Sequence, residues 1–133
     1  MTLVVDAALV VSALVDGGAE GQWAEEQLAA GQLAAPHLML VEAADILRRA
    51  TLAGTLPTQI TSLAHADLLD LRVELFPYAP LGDRVWELRQ NMTSYDAWYV
   101  ALAEHLDAPL ATLDAKLAHS TGPRCAFVTP RRG

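Results

Sequence analysis

Four carboxylates occupy positions from which they could share one chemistry. Asp6 closes the apolar run LVV, Asp114 closes PLATL, Asp96 lies in SYDAWYVALAEHL, and Glu42 interrupts LMLVEAADILRRA, a segment otherwise apolar from Leu38 to Ala44. A charge inside an apolar stripe is costly unless it is paired or metal-bound. Asp6 and Asp114 each follow a strand-like run, and ligands of open parallel sheets bind beyond the carboxyl ends of the strands. Gathered together, the four acids suit a hard divalent cation such as Mg²⁺, which takes oxygen ligands and keeps places for water and phosphate. Without the ion, two such charges ~4 Å apart repel by roughly 4 kcal/mol at an effective dielectric of 20, so metal should stabilise the fold.

Each acid also has a purely structural explanation. Asp96 in a first helical turn suits the helix dipole. Asp114 can cap a helix, Asp6 can end a strand, and Glu42 can pair with Arg48 or Arg49 or face solvent. Asp45, one helical turn beyond Glu42, could also face the site, but reads rather as a solvent-exposed acid beside Arg48 and Arg49. His37, His65, His105 and His119 show no paired metal-ligand spacing, and the single cysteine leaves no Cys-His arrangement for zinc.

The elements that must position these residues follow from periodicity and punctuation. The spacing predicts strands at residues 3–5, 33–35, 73–78, 109–113 and 125–129. Between them it predicts a first helix through Leu9, Val10, Ala13 and Leu14, stopped by Asp16-Gly17-Gly18, and a second at residues 22–30. Further helices are expected at 37–53, from Pro57-Thr58 to near Arg72, at 81–92, from Thr93-Ser94 to about Leu106, and at 115–119. Short strands interleaved with helices predict a three-layer α/β/α domain with a central, mostly parallel, five-stranded sheet.

The chain has 133 residues, 53% of them hydrophobic and 19% charged, which excludes disorder by composition and predicts one domain over 1–133. Against 9 Lys and Arg stand 16 Asp and Glu, a net charge of -7 that opposes the simplest nucleic-acid reading, a basic face on phosphates. No Lys or Arg precedes Arg48. Cys125, the only cysteine, cannot form an internal disulfide and reads as a buried structural thiol in a reducing compartment. The start, MTLVVD, is a poor signal peptide, and no apolar run approaches the ~18 residues that span a bilayer, so a cytoplasmic protein with no membrane contact is expected.

Taken together, VVDAALVVSALVD, VEAADILRR, SYDAWYVALAEHL and ATLDAKLA resemble the PIN-domain ribonucleases, and most of all the VapC toxins of bacterial toxin-antitoxin pairs. The resemblance covers nearly the whole chain, and its most specific piece is YDAWYVALAEHL with TLD downstream. It maps Asp6, Glu42, Asp96 and Asp114 onto the family's acidic quartet. It implies Mg²⁺-dependent hydrolysis of RNA, with Mn²⁺ able to substitute, leaving a 5′ phosphate and a 3′ hydroxyl. Asp6, Asp96 and Asp114 are then expected nearest the metal, with Glu42 as a further ligand or water-orienting base. It also implies a small VapB-type antitoxin as partner, a homodimer and toxin-antitoxin hetero-oligomers. The chain departs from the pattern at Ala8, where the family often has Ser, Thr or Asn, so a hydrogen bond near Asp6 is in doubt.

Thr112, Thr93 and Ser94 are candidates to support the acids, each with an equally good capping or strand role. RNA needs cations, offered by Arg48, Arg49, Arg72, Arg84, Arg89, Lys116, Arg124, Arg131 and Arg132. Arg89 and Lys116 stand out as RNA contacts, because they flank the segments that carry Asp96 and Asp114. Trp98 and Tyr99 could stack on bases, although their spacing suits packing, and Trp23, Trp86 and Trp98 could anchor a partner. The competing readings are a stand-alone PIN nuclease and a metal-binding interaction module without nuclease activity. A receiver-like phosphoacceptor is disfavoured, because Ala7 and Ala8 rather than a second acid follow Asp6.

Overall fold

The computed structural model describes residues 1–130, so Arg131 and Arg132 lie outside the described residues. Five strands, β1 (Thr2–Val5), β2 (Gln32–Pro36), β3 (Val73–Phe76), β4 (Leu110–Ala111) and β5 (Phe127–Val128), lie in the order β3-β2-β1-β4-β5. Every pairing is parallel, which sharpens the expected mostly parallel sheet. Leu3, Val4 and Val5 of the central strand are all buried. A parallel strand covered on both faces needs such an unbroken apolar run.

The crossovers are helical. α1 (Ala7–Val15) and α2 (Ala19–Ala29) join β1 to β2; α3 (Met39–Ala53) and α4 (Thr58–Asp70) join β2 to β3. α5 (Gly82–Glu87) and α6 (Ser94–Leu106) lead to β4, and α7 (Ala115–Ala118) to β5. Local chemistry sets the ends. α3 stops at Gly54, whose φ of 73° gives the left-handed C-cap glycine tolerates best. The α1-α2 corner is tight enough that a Cβ on Gly21 would stand 1.8 Å from the Asp16 carbonyl oxygen, so only glycine fits there.

β1 pairs with β2 on one side and with β4 on the other, Val5 standing opposite Ala111. The chain therefore leaves β1 and β4 in adjacent positions at the point where the strand order reverses. Such a switch point opens a crevice at the carboxyl ends of the strands. Asp6 follows β1 directly, and Thr112 follows β4.

Three expectations need correction. The single helix over 81–92 is instead a 3-10 turn at Ala79–Leu81, then α5 ending at Glu87, then turns. Leu81, Val85 and Leu88 are buried as their spacing required. However, the Leu88 N–H is shared between the Arg84 and Val85 carbonyls, and the Asn91 N–H reaches only back to Leu88. That tightening turns the chain towards α6; periodicity reports burial, not the hydrogen-bond pattern. β4 and β5 are also shorter than 109–113 and 125–129, with Pro109 having no N–H to give to the ladder. Cys125 is half-buried rather than buried, because it precedes the two-residue edge strand β5. Among the described residues no helix is long and apolar enough to cross a membrane.

Candidate active site

Asp6 caps α1, its Oδ1 accepting the Leu9 N–H at 2.9 Å. Its Oδ2 accepts from the hydroxyl of Thr112, which is fully buried. That same hydroxyl oxygen accepts the Asp114 N–H at 3.0 Å. Asp114 in turn caps α7, Oδ1 accepting from the Lys116 N–H at 2.9 Å and the Leu117 N–H at 3.2 Å. Strand ends and helix caps thus coincide at both acids, so the capping explanations hold and do not compete with a shared site.

Asp96 lies in the first turn of α6, where its N–H donates to the capping Thr93 hydroxyl at 3.2 Å. Glu42 lies in the first turn of α3. Its Oε1 accepts from the Tyr99 hydroxyl at 2.7 Å, so its partner is Tyr99 and not Arg48 or Arg49. Those two arginines turn to Asp45, at 3.5 Å and 3.3 Å, in exposed pairs. Asp6, Glu42, Asp96 and Asp114 line one cleft of about 430 Å³, together with Ala8, Tyr99, Asp45 and Arg49.

Five carboxylates, Asp45 included, share that cleft and shape its electrostatics. Burial pushes Asp6 up to about 6, against the lowering effect of Thr112 and the Leu9 amide, with Asp96 and Asp114 adding repulsion. Asp96 is raised by burial and then by Asp114. Glu42 is raised by burial, the Tyr99 hydrogen bond opposing, with Asp96 adding to the rise. Burial and the Glu42 carboxylate raise the Tyr99 phenol, which keeps it a hydrogen-bond donor throughout the working pH range.

The donor set is all oxygen, which fits a hard divalent cation rather than zinc with its nitrogen and sulfur preference. Among the described residues no three His, Cys, Asp or Glu side chains are drawn into one closed ligand shell.

Of the supporting candidates, Thr112 reaches the site and supplies the hydroxyl bond that Ala8 cannot. Thr93 acts as a cap for α6, and exposed Ser94 does not line the cleft. Arg89 and Lys116 do not line it either; Arg89 stacks 4.8 Å over the exposed Trp86 ring and donates to the Trp86 carbonyl at 2.8 Å. Sequence reasoning missed Tyr99 as Glu42's partner and ranked Arg49 no higher than the other cations. A signal existed for both. Tyr99 is three residues after Asp96 and Arg49 seven after Glu42, spacings that place each on the face of its helix that carries the acid.

Residues 3–122 match the PIN domain family, and 123 residues are 42% identical to Ribonuclease VapC1 of Mycobacterium tuberculosis, covering 92% of each chain. The chain belongs to the PIN-domain VapC ribonucleases. Solved structures share the fold of this VapC family member. PAE2754 from Pyrobaculum aerophilum superimposes with a TM-score of 0.72 at 21% identity, over 96% of this chain and 83% of that one. A toxin-antitoxin complex from Klebsiella pneumoniae gives 0.64 at 20% identity, over 97% and 98%.

Proposed function

We propose that this VapC family member is an endoribonuclease toxin that hydrolyses RNA phosphodiester bonds at the acidic cleft, acts in the cytoplasm, and is held inactive by a small VapB-type antitoxin. The observation that carries the reading is the convergence of Asp6, Glu42, Asp96 and Asp114 on one cleft at the strand switch point. Asp6, Asp96 and Asp114 would hold Mg²⁺, or Mn²⁺ in its place. When bound, the ion supplies charge neutralisation at the phosphate and a lowered pKa for water.

The protein's own groups prepare that chemistry. Thr112 and the Leu9 amide fix Asp6 in one orientation, and the Lys116 and Leu117 amides do the same for Asp114. Glu42, held through one oxygen by Tyr99, keeps the other to accept a proton from the attacking water. Water oxygen bonds to phosphorus as the bond to the 3′ oxygen breaks, one water proton passing to Glu42 and a solvent proton to the departing 3′ oxygen, leaving a 5′ phosphate and a 3′ hydroxyl. Arg49 is the one Lys or Arg among the described residues that lines the cleft, and it meets the flanking phosphate. The net charge of -7 is then no argument against RNA, because four of the negative charges belong to the metal site.

The antitoxin assignment draws support from VapC kinship and from the toxin-antitoxin complex of like fold; a homodimer is part of the same proposal. The test is cleavage of a structured RNA by purified, antitoxin-free protein, dependent on Mg²⁺ or Mn²⁺ and abolished by EDTA. A folded Asp96→Asn variant that cleaves as fast as wild type sinks the proposal. A short reading frame adjoining this one, whose product co-purifies with the chain, is the expected sign of the antitoxin.

A further inference from the structure

Tyr99 is 4% exposed, and its hydroxyl donates to Glu42 Oε1 at 2.7 Å. It sits on α6 one turn beyond Asp96, while Glu42 is carried by α3. An ionised carboxylate can only accept, so the phenol O–H supplies the proton of this bond. One side chain on α6 therefore bonds the acid that α3 brings to the cleft.

From this geometry we infer that Tyr99 is a positioning residue for hydrolysis, fixing one oxygen of Glu42 and turning the other towards the reacting water and metal. The inference rests on the nuclease reading above. It parallels the Thr112 arrangement, where a buried hydroxyl also donates to an acid of the cleft, Asp6. In both cases a buried hydroxyl dictates where a carboxylate oxygen stands. A buried phenol with no other role would be served by any acceptor; here the acceptor is an acid of the cleft itself. Outer groups that orient ligands in this way change metal affinity or activity by about 10- to 100-fold when removed.

Tyr99→Phe keeps the buried ring and removes only the hydroxyl. We expect it to bind Mn²⁺ about 10-fold more weakly by calorimetry without RNA, and to lower kcat by about 10- to 100-fold with KM for an RNA oligonucleotide unchanged. In a Glu42→Gln background the same change should have no further effect on either quantity, as a shared pathway requires. Glu42→Asp retains the charge but withdraws it by one methylene, and should reproduce the losses even where the Phe variant folds poorly. Wild-type Mn²⁺ affinity and kcat in Tyr99→Phe or Glu42→Asp would overturn the inference, as would undiminished losses in the Glu42→Gln background. Wild-type protein that neither binds Mn²⁺ nor cuts RNA would overturn the nuclease reading, and the Tyr99 role with it; wild-type cleavage alongside an unaffected Tyr99→Phe would overturn the Tyr99 role alone.

Discussion

The Thr112 hydroxyl donates to Asp6 Oδ2 while accepting the Asp114 N–H at 3.0 Å, so one buried side chain joins the acids that follow β1 and β4. The link exists because these strands are neighbours, with Val5 opposite Ala111. It holds Asp6 ionisable in a place that would otherwise favour the neutral acid.

Thr112→Val keeps the shape and removes both bonds. The unpaired Asp114 N–H should cost about 1–3 kcal/mol of stability in urea melts. Because the Thr112 bond lowers the Asp6 pKa, its loss should also move the acid limb of the cleavage-pH profile upwards. An unchanged acid limb in a folded variant would contradict the coupling.

Asp96 is raised by burial and by Asp114, so neutralising it should relieve repulsion. Asp96→Asn is expected to melt higher than wild type in EDTA, to lose the Mn²⁺-induced rise in Tm, and to fall at least about 100-fold in cleavage rate. Thermal scans with and without Mn²⁺ check all but the last.

Asp6 binds its proton up to a pH of about 6 in the fold, against an ordinary value of 3.8. A raised pKa means the folded state holds the proton more tightly than the unfolded chain. The metal-free protein should therefore lose stability as pH rises from about 4 to about 6, on the order of 2–3 kcal/mol, and level off above. Mn²⁺ competes with that proton, so its stabilising effect should grow between about pH 5 and pH 7. Melts in EDTA and in Mn²⁺ across that range test both slopes.

Away from the cleft, Arg84 forks onto Glu104, at 2.7 Å from Nε and 3.0 Å from the second amino nitrogen, and also donates to the Gly122 carbonyl at 2.9 Å. Burial alone would raise Glu104, but Arg84 and the Arg124 amide outweigh it and hold the carboxyl below its usual range. Breaking a largely buried pair from one side leaves an uncompensated charge. Arg84→Met should destabilise by about 3 kcal/mol in denaturant melts, while the folded fraction keeps its cleavage rate.

Arg49→Gln should raise KM for RNA several-fold with kcat little changed, and should lower the salt dependence of binding by close to one phosphate contact, a slope change of about 0.7 for a single strand. Arg89→Ala and Lys116→Ala, outside the cleft lining, should do less. Equal effects from all three would remove the special place of Arg49.

Sequence alone determined the strand-helix alternation and the four acids, because each signal is local. A β-branched run ending on Asp6, PLATL ending on Asp114, a first-turn Asp96 and a lone charge in the apolar start of α3 all lie within a few residues of what defines them. Periodicity carried burial correctly through Leu81, Val85 and Leu88, yet not the break after Glu87, since turns and helix can bury the same side chains. Only the tertiary structure decided who partners whom. Glu42 had two arginines within its own helix and took a tyrosine 57 residues away, and Asp6 found its hydroxyl at Thr112, 106 residues on, rather than at position 8. Such choices depend on strand order and helix packing, which bring distant hydroxyls to the acids and which no local pattern encodes.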